Sequence, residues 1–380
     1  MEVTITKSCL AAALARTAGI ADRKSSMQIL SNVLIETSGV DNVRIATTDL
    51  NLSAAGVFPA QVTEGGAFTV PARTLNGVVK SIPDGQISLR TEGEQVHVLS
   101  GRTQFKLLSL PAEDFPILPT VEGVEFFEMD AALLMRMIEQ TSFSISSDET
   151  RPHINGALFQ GDGKNLRMVT TDGHRLSKVE VQTEESGFYN FSMVVPNKGI
   201  AEIRRLVEDS EGNVSIAVQG GSVFLRKEIE VEKEQEDTKP VTAEFVLVSK
   251  LIESEFPPYD QVIPEKSDRK VIISRAMLSD ALRRMSVVSS ERTLGVKFQF
   301  SEGCLEIATN NPSVGEGSEQ LDVDYDGNDM EIGFNARYFI DILNVLGDEE
   351  VKVGLSGPLD PVVVTDMEDT FIGVVMPMRI

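Results

Sequence analysis

The stretch RMVTTDGHRL, residues 167–176, decides the fold, because its first six residues belong to a pattern that occurs three times in the chain. RIATTD at residues 44–49 and EIATNN at residues 306–311 are the other two copies. Each copy follows a turn and an earlier run of alternating apolar residues. Two alternating runs joined by a turn are typical of a β-hairpin. The sequence therefore predicts three copies of one module, about 123–140 residues apart.

Two amphipathic helices accompany each predicted hairpin, because apolar residues recur there every three or four positions. One helix precedes the hairpin, and the other follows the signals VPA (70–72), VPN (195–197) and FNA (334–336). Proline is tolerated at such a helix start because the missing N–H group would have no partner there. Each module is thus predicted as strand, helix, hairpin, strands, second helix and further strands. The six predicted helices cover residues 7–18, 72–82, 129–142, 197–209, 274–290 and 335–347.

Proline-rich segments lie where neighbouring modules should meet. LPAEDFPILP occupies residues 110–119 and FPPYDQVIP occupies residues 256–264. Proline lacks a donor and interrupts regular structure, so both segments are predicted linkers. A copy of this size is large enough to be a domain. The predicted fold is α+β with antiparallel sheets, and the predicted domains cover residues 1–120, 128–258 and 260–380.

The chain has 380 residues and a formal net charge of −23, which taken alone disfavours tight binding to nucleic acid. The six predicted helices differ, because they hold 12 Lys and Arg against 7 Asp and Glu, and the rest of the chain carries −28. Helices that share one face would form a positive surface inside an acidic body, which attracts phosphates without reading bases. Ordinary solvent-facing helix stripes would give the same count, and that alternative stays open. The cations in question are Lys7, Arg16, Arg73, Lys80, Arg136, Lys198, Arg204, Arg205, Arg275, Arg283, Arg284 and Arg337.

Several classes of protein are disfavoured by what the sequence lacks. It has no run of about 18 apolar residues, so no membrane span is expected. No basic-then-apolar leader opens the chain, and Cys9 and Cys304 suit reduced core residues better than a disulfide or a metal site. No P-loop or GxGxxG motif is present, so we expect no cofactor. These features together favour a cytoplasmic location.

Asp172 and His174 raise the alternative of catalysis, because a carboxylate two residues away could orient an imidazole. No GxSxG motif accompanies them, and no second histidine lies at metal-ligand spacing. Asp and Asn at the same position of the other copies favour a turn instead, since their side chains bond to nearby backbone. We therefore expect a non-enzymatic protein. A hydrolase centred on His174 and a repeat-built scaffold that binds only proteins remain the alternatives.

Three segments resemble a known family. TTDGHRL (170–176), FPPY (256–259) and VVMPMRI (374–380) are together similar to the bacterial DNA polymerase III beta subunits, the DNA sliding clamps. The resemblance implies three topologically similar clamp domains, each with two helices on an inner face and antiparallel sheets outside. It also implies a head-to-tail homodimer, a six-domain ring around duplex DNA that makes a polymerase processive. Further matches, in the same order as in the family, are VPAR (70–73), LPAEDFP (110–116), NG (155–156) and IGFN (332–335).

The resemblance also implies a hydrophobic pocket between the second and third domains. In the family this pocket accepts short clamp-binding peptides from the DNA polymerase III catalytic subunit, the clamp loader, translesion polymerases and mismatch-repair proteins. Methionines suit such a surface because their side chains adapt to several partners. Gln261 and Asp360 depart from the family pattern, which often has Arg and Ser there, and both belong to the polar rim. The implied pocket residues are Ile154, Thr171, Gly173, His174, Arg175, Leu176, Pro257, Val262, Val374, Val375, Met376, Pro377, Met378, Arg379 and Ile380.

DNA contacts are implied in the same way. Lys24, with Arg23 beside it, falls in a loop where the family can have a basic DNA-contacting residue. Asp148 stands where a polar contact can occur, and Arg151 is the better candidate. The expected DNA-facing residues are Arg23, Lys24, Arg73, Lys80, Arg136, Arg151, Lys198, Arg204, Arg205, Arg283 and Arg284.

The resemblance finally implies a dimer seam. Phe105 and Leu107 of one copy should pack near Val287 and Val288 of the partner subunit. A head-to-tail contact makes a ring when its rotation closes, and strands that pair across the seam leave no exposed sheet edge. The alternative for these four residues is an ordinary core within each domain.

Overall fold

The computed structural model describes residues 1–22, 25–183, 189–208, 211–231, 241–290 and 294–379. These residues form six α-helices and 25 β-strands, and the strands pair in antiparallel fashion. The α+β class predicted from the sequence is confirmed. None of the described helices is long and apolar enough to cross a membrane.

The helices are α1 (Lys7–Thr17), α2 (Ala72–Ser81), α3 (Ala131–Thr141), α4 (Asn197–Val207), α5 (Arg275–Val288) and α6 (Ala336–Val345). All six begin and end within two residues of the predicted bounds. The side chains of Thr6, Ser274 and Asn335 cap α1, α5 and α6 by accepting hydrogen bonds from backbone N–H groups in the first turn. Such caps satisfy donors that have no partner inside the helix.

The chain forms two compact units, Met1–Leu133 with Ala201–Leu251 and Leu134–Ile200 with Ile252–Ile380. Unit 1 holds a five-stranded sheet of order β5-β1-β7-β8-β9 and an eight-stranded sheet of order β10-β15-β16-β17-β4-β3-β2-β6. Its strands are β1 (Glu2–Thr6), β2 (Asn32–Thr37), β3 (Asn42–Thr48), β4 (Leu52–Pro59), β5 (Gln61–Glu64), β6 (Ala67–Pro71), β7 (Gln86–Glu92), β8 (Gln95–Ser100), β9 (Thr103–Leu108), β10 (Phe127–Asp130), β15 (Asn213–Gln219), β16 (Ser222–Val231) and β17 (Val241–Lys250).

Unit 2 holds an eight-stranded sheet of order β14-β11-β12-β13-β25-β24-β23-β18 and a four-stranded sheet of order β21-β20-β19-β22. The three predicted hairpins are confirmed as β2–β3, β11–β12 and β19–β20. The strands of unit 2 are β11 (Gly156–Gly163), β12 (Asn165–Thr171), β13 (Arg175–Gln182), β14 (Tyr189–Pro196), β18 (Arg269–Ser274), β19 (Gly295–Ser301), β20 (Cys304–Asn311), β21 (Gly315–Asp322), β22 (Met330–Asn335), β23 (Glu350–Leu355), β24 (Val362–Thr365) and β25 (Phe371–Val375).

Both eight-stranded sheets continue across a predicted linker. In unit 1 the last strand of the second module, β17, pairs with β4 of the first, with Ser249 opposite Leu52. In unit 2 the last strand of the third module, β25, pairs with β13 of the second, with Val375 opposite Arg175. Each of these two modules therefore completes the sheet of the module before it.

The predicted linkers lie outside helices and strands, apart from single 3-10 turns, and aromatic side chains anchor both. Phe115 is buried in a cluster with Ile29, Leu30 and Leu34 in unit 1. Phe256 is buried in a corresponding cluster in unit 2. Burial of a large aromatic side chain stabilises such a crossing by about 1.5–3 kcal/mol, so the linkers are fixed to the sheets below them.

Candidate functional site

The segment Thr170–Leu176 forms a turn whose backbone the side chain of Asp172 organises. Its Oδ1 atom accepts hydrogen bonds from the N–H groups of His174 (2.8 Å) and Arg175 (3.0 Å), and Gly173 has a φ of 90°. Asp49 in the first module accepts from two N–H groups in the same way. This geometry confirms the predicted turn, and among the described residues no carboxylate bonds to the imidazole of His174.

Arg175 is the best-connected cation of the described site, and its side chain is only 11% exposed. Nε lies 3.0 Å from Asp172 Oδ2 and Nη1 lies 2.8 Å from Asp341 Oδ2. Nη2 donates to the carbonyl of Phe143 at 2.6 Å, and the guanidinium lies 4.7 Å from the ring centroid of Tyr338. Arg175 was expected to line a pocket. The structure uses its charged end to join β13 to α6.

The C-terminal tail, residues 376–379, runs beside this turn. The N–H of Met376 donates to the carbonyl of His174 at 2.9 Å, and the N–H of Met378 donates to Gly333 at 2.8 Å. The Met376 and Met378 side chains are half-buried, and Arg379 is exposed. The tail thus leaves adaptable apolar side chains accessible next to an exposed histidine. Ile380 lies outside the described residues.

An apolar floor lies on the same sheet. Leu176 and Val374 are hydrogen-bonded neighbours across β13 and β25, and both are almost fully buried. Among the other expected pocket residues, Ile154 is buried, Pro257 is half-buried and Val262 is exposed. Sequence reasoning did not assign five floor residues to the pocket. Three of them, Leu158, Val169 and Val194, lie on strands, where alternating apolar residues resemble any other core. The floor comprises Leu158, Val169, Leu176, Val194, Phe256, Tyr259 and Val374.

A polar cluster fastens the linker next to this floor. Arg167 bonds to Glu180 through Nε (3.1 Å) and Nη2 (2.8 Å), and Lys178 Nζ lies 2.7 Å from Glu180. The hydrogen bond from Arg167, followed by the bond from Lys178, lowers the pKa of Glu180 to about 2. Burial raises the pKa of Tyr259, which packs beside Arg167. Glu180 is therefore ionised at neutral pH and holds both cations in place.

The two departures from the family pattern, Gln261 and Asp360, are both exposed. Their side chains are therefore at the surface of unit 2, outside the buried apolar floor.

The helix cations are mostly exposed, but several have an anionic or polar neighbour. Arg205 pairs with Glu202 at 2.7 Å, and Arg284 Nε lies 2.7 Å from Glu319. Arg283 donates to the side chain of Asn344. The helices α1 and α2 pack together in unit 1, and α5 and α6 pack together in unit 2. The exposed cations among the expected DNA-facing residues are Arg73, Lys80, Arg136, Lys198, Arg204, Arg205, Arg283 and Arg284.

One of the expected DNA-facing residues, Arg151, has a different environment. Arg151 is half-buried, and it bonds to Asp148 at 3.0 Å and to the carbonyl of Asp172. It therefore braces the 170–176 turn. Arg23 and Lys24 lie outside the described residues.

The four expected seam residues are divided between a strand edge and a helix end. Phe105 is half-buried and Leu107 is buried on β9, whereas Leu108 is 73% exposed. Val287 is 80% exposed at the end of α5, and Val288 is half-buried. Among the described strands, β9 pairs only with β8 and β21 pairs only with β20, so each leaves a free edge.

The fold and the site define a protein built from three related α+β modules, with sheets that run from one module into the next. Family models of the DNA polymerase III beta subunit match all three: the N-terminal domain at residues 1–119, the central domain at 128–258 and the C-terminal domain at 260–379. The chain therefore belongs to the DNA polymerase III beta subunit family, the beta sliding clamps.

Individual relatives agree with this membership over their full lengths. The chain is 35% identical to the beta sliding clamp of Pseudomonas aeruginosa and 34% identical to that of Escherichia coli K12, with 100% of each chain covered. A crystal structure of the DNA polymerase III subunit beta from Pseudomonas aeruginosa matches with a TM-score of 0.90 at 34% identity, again over both whole chains. Another, of a sliding clamp from that organism bound to griselimycin, matches with a TM-score of 0.89 at 34% identity over both chains.

Proposed function

We propose that the protein is a sliding clamp that closes as a head-to-tail homodimer around duplex DNA and tethers a polymerase without catalysing a reaction itself. The observation that carries this proposal is the pair of free edges, β9 and β21. Within the chain, the last strand of one module pairs with a strand of the preceding module at two junctions, β4–β17 and β13–β25. In a homodimer, β9 of one copy would form a third junction of this kind with β21 of the other.

The two internal junctions define the expected register of the third. Leu52, Arg175 and Val314 each lie three residues after the turn residue that ends the repeated pattern. Leu52 pairs with Ser249, and Arg175 pairs with Val375. Within their own modules, Ser249 and Val375 pair with the first buried valine of the preceding strand.

The residue in the same position of the first module is Leu107, which pairs with the buried Val96. Val314 should therefore lie opposite Leu107 of the partner subunit. Glu316 would then lie opposite Phe105 of the partner subunit, and Glu319 opposite the partner subunit's Arg102. Leu107 is buried within its own chain, as is its counterpart Val375, which agrees with the equivalence of the two positions.

Charge on the two edges favours a head-to-tail contact. Residues 315–322 carry three acidic side chains and no basic one, whereas residues 101–108 carry two basic side chains and no acidic one. Pairing either edge with its own copy would place like charges opposite each other, which destabilises a sheet. Pairing β21 with β9 joins opposite charges. Contacts between different patches close into a ring when their rotation permits it.

Val287 and Val288 fit the same seam. They end α5, which packs against β21 in unit 2. A strand added to β21 would pass near this helix end and cover the exposed Val287. Burial of a valine contributes about 1.5–3 kcal/mol to association.

The exposed helix cations support sequence-independent contact with DNA. Lys and Arg side chains displace counterions from phosphates, and this contribution requires no base contact. An acidic remainder disfavours DNA elsewhere on the surface. The 170–176 turn, the tail and the apolar floor support a site for short clamp-binding peptides. The partners proposed for it are the polymerase III catalytic subunit, the clamp loader, translesion polymerases and mismatch-repair proteins. A cytoplasmic location fits these partners.

Two measurements test this proposal: the mass of the protein in solution and its retention on circular DNA. Light scattering should give about 83 kDa, twice the 41.5 kDa of the chain. Protein loaded by a clamp loader onto nicked circular DNA should stay bound at high salt and be lost after the circle is cut. A monomer, or equal retention on linear DNA, would refute encirclement. A double variant Val287→Glu, Val288→Glu should be monomeric, because it places unpaired charge in the seam.

A further inference from the structure

A cavity of about 350 Å³ opens on the eight-stranded sheet of unit 2, beyond the end of the apolar floor. Its apolar part is formed by Val363, Ile372 and the linker residues Ile263 and Pro264. Its rim carries Lys266 and Lys270, which are exposed. The size lies within the range of about 300–1,000 Å³ that is usual for ligand pockets.

The second module fills the equivalent place with its own aromatic ring. Asp130 and Ser274 are the last residues of β10 and β18, directly before α3 and α5. Counting back four residues from each shows that Phe126 and Lys270 are equivalent. Phe126 packs against Ala217 and Phe224.

The strand pairs extend this equivalence to the residues that lie next to Phe126 and Lys270 in the two sheets. Ala217 pairs with Phe224 across β15 and β16, and Gly354 pairs with Val363 across β23 and β24. The third module therefore has a lysine where the second has a ring, and smaller residues below it. The cavity is the space that the ring would occupy.

The charges of the rim are not all compensated within the chain. Lys352 lies 3.0 Å from Asp369 and also donates to the carbonyl of Met367, so its charge is paired. In the described part of the chain, Lys266 and Lys270 have no carboxylate within 4 Å; the nearby acidic side chains are Asp369 and Glu265. Two unpaired ammonium groups beside an apolar cavity favour a ligand with an apolar part and a carboxylate. A chain of net charge −23 disfavours an acidic ligand over most of its surface, so binding of such a ligand depends on local positive charges like these.

The cavity is continuous with the apolar floor. Val363 pairs with Val374, and Val374 pairs with Leu176. Neighbouring strands lie about 4.8 Å apart, so two strand spacings place Leu176 about 10 Å from Val363. An extended polypeptide covers that distance with about three residues. One bound segment could therefore reach from the floor to the cavity.

We propose that this cavity is an accessory site for an aromatic or large apolar residue flanked by acidic residues, carried by the same partner polypeptide whose clamp-binding peptide occupies the apolar floor. The inference rests on the proposed function, since that function supplies the first anchor. The second anchor would select among partners by their flanking sequence. An exposed ion pair contributes about 0.2–1 kcal/mol, so two such pairs correspond to roughly two- to thirtyfold in affinity.

Fluorescence anisotropy with labelled peptides tests the accessory site on the full-length protein. The core probe is an apolar clamp-binding peptide from a DNA polymerase III catalytic subunit. Extended probes carry Gly-Ser-Gly-Phe-Glu-Glu at one end or the other, and control probes carry Gly-Ser-Gly-Phe-Gln-Gln. We expect one extended probe to bind at least threefold more tightly than the core, and its Gln control to lose most of this gain.

Three variants locate the effect. Lys266→Glu with Lys270→Glu should abolish the gain and leave affinity for the core probe unchanged. Lys270→Phe should also abolish it, because it restores the ring found in the second module. Lys164→Glu, an exposed lysine away from the cavity, is the matched charge control and should retain the gain.

The outcomes separate the two proposals. Binding of the core probe without any gain from either extension would overturn the accessory site alone. A gain that persists in both cavity variants would also overturn it. Failure of the core probe to bind would refute the peptide site of the proposed function, and the accessory role with it.

Discussion

Replacing Arg175 with methionine separates a structural role for this residue from a peptide-contacting one. Methionine keeps much of the volume and removes the charge, which leaves Asp172 and Asp341 without their shared cation. Breaking a buried ion pair from one side costs about 3–5 kcal/mol. The three side chains are 11%, 20% and 12% exposed, so the lower end, about 3 kcal/mol, is expected.

Arg337 provides the matched control. It pairs with the same Asp341 at 2.8 Å, but its side chain is 64% exposed. An exposed pair contributes about 0–1 kcal/mol, so Arg337→Met should change stability little. Unit 2 has about 200 residues, for which 1 kcal/mol corresponds to about 2–4 °C in Tm. Arg175→Met should therefore lower the Tm by about 6–12 °C, and Arg337→Met by less than about 4 °C.

Scanning calorimetry of the full-length protein measures these shifts, and anisotropy with the core peptide measures binding at a temperature where both variants are folded. A residue that only contacts the peptide would weaken binding and leave the Tm unchanged. Equal Tm values for Arg175→Met and Arg337→Met would refute the structural role argued from the hydrogen bonds.

Three further predictions concern the seam, acid stability and the tail. Glu319→Lys should weaken the dimer about two- to tenfold, and adding Arg102→Glu should recover part of the loss, as measured by sedimentation at low concentration; no recovery would contradict the proposed register. Arg167 holds the pKa of Glu180 below its usual value. The Arg167–Glu180 bond therefore stabilises the folded state fully above pH 4.5, and this contribution declines as the pH falls toward 2. Glu180→Gln should remove that part of the acid dependence in urea titrations, and an unchanged pH profile would count against the bond. Deleting residues 376–380 should abolish peptide binding while the dimer mass stays the same, and retained affinity would exclude the tail from the site.

The local structure of this protein can be predicted from its sequence because each element carries its own periodicity. All six helices and the three hairpins follow from apolar spacing, and the 170–176 turn follows from its Asp-Gly pair. The pairing of β17 and β25 with strands of the preceding module could not be predicted in this way. The residues of β17 and β25 do not indicate that these strands pair with β4 and β13, which lie more than 180 residues earlier in the chain.

The candidate site was predictable in outline and not in its chemistry. The tail and the turn are recognisable segments, and the structure brings them within hydrogen-bonding distance. The role of Arg175 was not recognisable, because Asp341 is 166 residues away and on a helix. Leu158 and Val194 likewise belong to the apolar floor only through strand order. Interactions of this kind depend on tertiary pairing, which local patterns do not encode.

The pairing of the last strand of a module with the preceding module has a consequence for synthesis on the ribosome. About 190 residues separate the end of β13 from the start of β25. At about 5–20 residues per second, β13 is made roughly 10–40 s before its partner strand exists. During that interval its edge is open to other nascent chains, and Lys178 and Glu180 on that strand discourage such pairing because charged edge strands resist it. The sheet can therefore be completed only after β25 has been made and has left the ribosome.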